Sequence, residues 1–241
     1  MWNICKKEFN QFFSSLTGYL AIILFLLING LFLFVLNDSS IFEYGYAGMD
    51  KFFELAPWIL LFLIPAITMR TLADEFKYGT YELLVTRPLT PREIVWGKFG
   101  AVALITLLVL LPSTLYILTI QSLSAGGSID LGGIAGCYIG LIMLALSFAA
   151  IGIACSGSGS NALLAFLLSA FISLVFYFGF ESISHLPIFK GTADYYIEML
   201  GLNFHYTSMS KGVIDTRDVI YFLSIIISLL HYTEIKLKKR A

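Results

Sequence analysis

Long apolar runs alternate along the chain with short stretches that hold nearly all of its charge. A bilayer core takes about 20 apolar residues in a helix. Six runs meet or approach that length: Tyr19–Leu36, Leu55–Met69, Ile94–Gln121, Leu131–Cys155, Asn161–Phe180 and Val219–Thr233. The second is short, and Phe52 and Phe53 extend it outward. Pro57 and Pro65 fall in the second run and Pro112 in the third. Kinks are expected there, at points where neighbours can satisfy the freed backbone groups.

The segments between the runs are patterned too. Ahead of the first run, Trp2, Cys5, Phe9, Phe12, Phe13 and Leu16 recur at helical spacing, opposite Asn3, Lys6, Lys7, Asn10 and Gln11. This predicts an amphipathic helix over residues 1–18 that lies flat in the membrane interface, with its basic face toward anionic headgroups. Residues 70–98 form the one long charged connection. Thr90, Pro91 and Glu93 at its end make a capping box with proline at the first helical position, so the third helix begins before the membrane. From Pro91 to Gln121 it would span about 46 Å. Upstream, Glu75, Gly79 and Glu82 stand at i, i+4 and i+7, which predicts a short helix with acids on one face. Residues 181–218 are apolar for an exposed loop, with Tyr195, Tyr196, Ile197, Met199 and Leu200 close together. Short helices folding back toward the bilayer are expected there, with Asp215 capping the last span.

Composition then fixes the class. The 241 residues are 58% hydrophobic and 13% charged, with 21 Phe, and mean hydropathy is +0.85. Ordinary soluble domains carry about 25% charged residues, so a soluble, disordered or coiled-coil chain is excluded. The fold expected is an all-α polytopic membrane protein. Net charge is −1 and argues neither for nor against an anionic partner; no nucleic-acid partner is expected. The distribution says more. Placing the N-terminus inside puts eleven Lys and Arg on the cytoplasmic side and four outside. That bias predicts both termini in the cytoplasm. No cleavable signal peptide is expected, because the first run lacks a small-residue cleavage site.

Candidate chemistry is sparse. Ionisable residues inside spans are functional hypotheses by default, but Glu181, His231 and Glu234 sit at helix ends, where interfacial solvation accounts for them. Asn29 reads as inter-helix glue. His185, His205 and His231 have no metal-ligand spacing, and Cys5, Cys137 and Cys155 are too scattered for a zinc site or a disulfide framework. The run Ser156-Gly-Ser-Gly-Ser160 does not match the nucleophile elbow and reads as a tight turn. Gly136 and Gly140 predict close helix packing, within the chain or between copies. Gly97-Lys98 lacks the upstream glycine of a phosphate-binding loop. No catalytic residue, bound cofactor or metal is expected. What remains is a helical bundle driven from its cytoplasmic side.

The run Arg70, Asp74-Glu75, Gly79-Thr80-Tyr81-Glu82-Leu83-Leu84, Arg87-Pro88-Leu89-Thr90 and Gly97-Lys98-Phe99 resembles the cytoplasmic signature of type-2 ABC exporter permeases. The closing run Phe204-His205, Gly212-Val213-Ile214-Asp215 and Arg217-Asp218-Val219-Ile220-Tyr221-Phe222 is similar to another mark of that family. Residues 55–70 resemble, more narrowly, the gliding-motility-associated permeases of Bacteroidetes-type bacteria. The resemblance implies an elbow helix over residues 1–18 and a single six-helix permease domain over 19–241. It places a coupling helix within the loop 70–98, and paired re-entrant helices within 181–218. It also implies a separate ATP-binding subunit in two copies, holding ATP and Mg, and a second permease chain, identical or homologous. The coupling residues would be Arg70, Glu75, Gly79, Thr80, Glu82 and Arg87: Glu75 and Glu82 contacting the ATPase, Gly79 allowing close approach or a bend, and Arg70 and Arg87 fixing the loop against headgroups or acids. The other readings are an ATP-driven device that works on an envelope machine without moving a substrate, and a scaffold without transport.

Overall fold

The computed structural model describes residues 1–36, 48–85, 89–123, 130–187, 191 and 193–239, with backbone only at 83–85. Among these there are helices and no strands. Six helical stretches are long and apolar enough to cross a membrane. A short helix α1 (Trp2–Phe13) precedes the first span, α2 (Leu16–Phe34). The second span is α3 (Asp50–Thr68), followed by two short helices, α4 (Ala73–Lys77) and α5 (Thr80–Val85). The third span is α6 (Pro91–Leu110) and α7 (Thr114–Leu123). Between them Pro112 sits in a 3₁₀ turn, Leu111–Ser113, so the single helix expected to Gln121 is broken where proline removes a donor.

The fourth span, α8 (Leu131–Ser156), is the hub of the bundle, and α3, α6, α9 and the last span all pack on it. The fifth span runs through α9 (Ala162–Leu174), a π-helical turn (Val175–Gly179) and α10 (Phe180–Ser184). Then come α11 (Asp194–Glu198), α12 (Leu202–Met209) and the last span, α13 (Thr216–Lys238). In the most apolar stretch of α8, 78% of residues are buried, against 28% in α2 and 22% in the fifth span. The first and fifth spans therefore lie at the margin, with apolar surface turned outward.

Two caps form as the sequence predicts. Thr90 and Glu93 bond reciprocally at the start of α6, and Asp215 accepts from the Arg217 N–H at the start of α13. Asn29 differs. Its amide donates to the Phe25 carbonyl of its own helix at 2.8 Å, and among the described residues it bonds to no neighbouring helix.

Proline shapes the second span and its surroundings. Pro57 has no N–H to offer the Phe53 carbonyl, which is left without its helical donor in a buried place. The Tyr206 hydroxyl of α12 donates to that carbonyl at 2.6 Å. The packing of α12 against α8 rests on Gly136 and Gly140. A Cβ on Gly140 would stand 2.9 Å from Met209 Cβ, and one on Gly136 would stand 2.8 Å from the Gly212 carbonyl oxygen. The pair therefore packs within the chain. Cys137, between them, donates from Sγ to the Ser210 carbonyl at 3.0 Å.

Candidate coupling site

At one end of the bundle the chain leaves α3, turns, and enters α4 and α5. The turn is held from α8. Ser156 Oγ accepts from the N–H groups of Leu72 and Ala73 at 3.0 and 3.1 Å and donates to the Met69 carbonyl at 3.1 Å. One hydroxyl thus uses its proton and both lone pairs on three backbone groups. The first residue of the expected turn at 156–160 is the last of α8, where it ties down the exit of α3.

Gly79 has φ +67°, a conformation natural to glycine, and it divides α4 from α5. The continuous helix expected from Glu75, Gly79 and Glu82 is therefore not formed, and the two carboxylates part. Glu82 is exposed. Glu75 is 8% exposed and turns inward.

What receives Glu75 is Lys98, on the second turn of α6 and 1% exposed. Its ammonium lies 2.7 Å from Glu75 Oε1 and 2.9 Å from Glu8 Oε1 of α1, and it also donates to the Thr71 carbonyl. Three donors meet three acceptors on α4, α1 and the turn after α3. A buried ammonium without such partners would cost several kcal/mol. The packing allows the contact because Gly97 admits α1: a Cβ there would stand 3.0 Å from Ile4 Cβ.

A second cluster ties the same region to α13. Glu234, 6% exposed, accepts from Trp96 Nε1 at 3.0 Å, with His231 Nδ1 at 3.3 Å and Arg92 Nε at 3.9 Å. Interfacial solvation does not account for Glu234: it is packed against α6. The Tyr81 hydroxyl of α5 donates to the Leu237 carbonyl at 3.2 Å, and Lys236 donates to Ser158 Oγ at 2.8 Å.

Outside this framework, Arg70, Lys77, Tyr78, Gly79, Thr80 and Glu82 are exposed. Tyr78 is 68% exposed, with the Lys77 ammonium 5.5 Å above its ring. Arg87 lies outside the described residues. Of the residues expected to face a partner, five are thus displayed or internal in a known way: Arg70, Gly79, Thr80 and Glu82 outward, Glu75 inward. Lys98, Ser156, Trp96 and Glu234 were not anticipated. Lys98 stands in the sequence as one of the eleven cytoplasmic charges and in the run Gly97-Lys98-Phe99, neither of which shows its partners at positions 8, 71 and 75. Cys5, on α1, is a buried thiol, and burial pushes its pKa up.

The opposite end, capped by α11 and α12, is closed around His205. Its Nδ1 is 2.7 Å from Asp218 Oδ1, its Nε2 is 2.9 Å from the Met199 carbonyl, and its ring stacks on Tyr221 at 3.8 Å. Asp218, expected in the first turn of the last span, thus binds α12 to α13. Burial drives the Tyr206 pKa well up, in keeping with a hydroxyl that only donates.

An α-helical bundle with six stretches long and apolar enough to cross a membrane defines a polytopic membrane protein. The family comparison agrees: the profile of ABC-2 family transporter proteins matches residues 37–230. The chain belongs to the ABC-2 transporter family, as a membrane subunit rather than the ATPase. No curated protein matches the chain.

Proposed function

We propose that this chain is the permease subunit of an ATP-driven exporter, and that residues 70–85 take up movement from a separate ATP-binding subunit. The observation that carries the reading is the Lys98 clamp. Lys77, Tyr78, Gly79, Thr80 and Glu82 stand exposed, while Glu75, one turn away, is held through Lys98 to α1 and α6. Force applied to Tyr78 or Glu82 would be passed to the third span and to α1 together, and through Ser156 to α8. Family membership supports the partner, since ABC-2 membrane subunits work with an ABC ATPase.

In this reading two permease chains and two ATP-binding subunits, which hold the ATP and Mg, make the transporter. The braced end and both termini face the cytoplasm of a bacterial inner membrane, as the bias of Lys and Arg supports. The likeness of residues 55–70 to gliding-motility permeases supports a role in a system of that type. Purification of the tagged chain in mild detergent tests the reading. A stoichiometric ATP-binding subunit with ATPase turnover that falls on Glu82→Lys is expected. A chain recovered without such a partner would leave a scaffold.

A further inference from the structure

A cavity of about 410 Å³ opens at the capped end, between the outer halves of the second and fifth spans and α12. One side of its lining is aromatic. Trp58 lies 5.7 Å from Tyr177, edge to face, and 5.8 Å from Phe178. Its rim is acidic, with Asp50, Glu54 and Glu181. The two layers follow from helical spacing. Glu54 is four residues before Trp58 on α3, and Glu181 is three after Phe178, so each span sets a carboxylate about one turn nearer the capped end than its aromatic ring. The rings at the fifth span come from its π-helical turn, Val175–Gly179. Such turns are uncommon and occur often at functional sites.

Charge and chemistry narrow what could enter. Lys51 pairs with Glu54 at 3.0 Å, and Glu181 accepts from the Asn203 amide at 2.8 Å. Among the described residues, one ammonium against three carboxylates leaves this rim net negative. An anion is disfavoured. A hard metal ion wants six or more oxygens, and among the described residues no group of three His, Cys, Asp or Glu is placed to hold one. A positive charge on an apolar body meets both layers, since ring faces attract cations and carboxylates attract them more strongly. The volume falls within the ~300–1,000 Å³ of small-molecule pockets.

From this we infer that the cavity is a binding site for lipophilic organic cations, with the charge held toward Glu54 and Glu181 and the apolar part on Trp58, Tyr177 and Phe178. The inference deepens the exporter reading by naming a substrate class, yet its test needs no ATPase, so the two can fail separately.

The test is equilibrium dialysis of the full chain in neutral detergent against radiolabelled tetraphenylphosphonium, with empty micelles as blank. Tetraphenylborate, of nearly the same shape and opposite charge, is the second probe. Saturable retention of the cation is expected, weakened about tenfold by Glu54→Gln with Glu181→Gln and unchanged by Glu198→Gln. Should the double variant not fold, Glu54→Gln alone serves, because that side chain is 70% exposed; a severalfold loss is expected. Equal retention of tetraphenylborate, or of the cation by the variants, would overturn the site. Retention lost as the chain self-associates would assign the cavity to a second copy instead.

Discussion

The Lys98 ammonium and the Glu75 carboxylate meet at 2.7 Å, both almost out of solvent, and join the third span to the short helix that follows the second. With Glu8 at 2.9 Å on the same ammonium, the contact makes one mechanical unit of α1, α4 and α6. A buried charge stripped of its partner costs far more than the intact pair contributes.

Lys98→Ala should therefore strand Glu75 and lower stability by about 3–5 kcal/mol, read as a fall in detergent melting temperature. Glu8→Gln should cost much less, because Glu8 is 16% exposed and leaves Glu75 on the lysine. Equal losses for the two would mean that the pair with Glu75 is not the principal tie.

Tyr206→Phe removes the donor to the Phe53 carbonyl and leaves a buried acceptor orphaned. A loss of about 1–3 kcal/mol is expected. Pro57→Ala in the same chain restores the helical N–H to that carbonyl and should recover part of the loss. A double-mutant cycle on thermal stability reads the coupling, and strictly additive effects would sever the link between Pro57 and Tyr206.

Gly152→Ala places a Cβ 2.0 Å from Thr68 Oγ1, where α8 crosses α3. The overlap should cost about 1–3 kcal/mol or more, and Thr68→Ala should relieve part of it by removing the atom in conflict. Gly136→Ala meets the backbone of Gly212 instead. No side-chain trimming at that contact should rescue it, and melting curves of the single and paired variants distinguish the two cases.

Much of this fold is legible in the sequence because bilayer physics leaves few choices: an apolar run of some 20 residues must be a helix. Local signals were equally plain. The Thr90–Glu93 capping box and the Asp215 cap depend on neighbours within three residues, and both formed. The long-range contacts were not legible. Nothing local distinguishes Lys98 from the other basic residues at the braced end, and its fate depends on Gly97 letting α1 approach. Glu234 read as solvated because Trp96 is 138 residues away. His205 and Asp218 stood in one motif, yet only the packing of α12 on α13 shows that they face each other. At Gly79 two expectations competed, a helical face shared with Glu75 and Glu82 and a bend, and φ +67° shows that the bend prevails.

In the proposed transporter, the exposed residues of α4 and α5 touch an ATP-binding subunit. Cys5, Cys137 and Cys155 are all buried, so Tyr78→Cys introduces a far more accessible thiol than any of them. Labelled in membranes with a benzophenone maleimide and illuminated, it should cross-link the chain to an ATP-binding subunit, while Glu198→Cys at the capped end should not. No cross-link from position 78 to such a subunit, or the same product from position 198, would contradict the account.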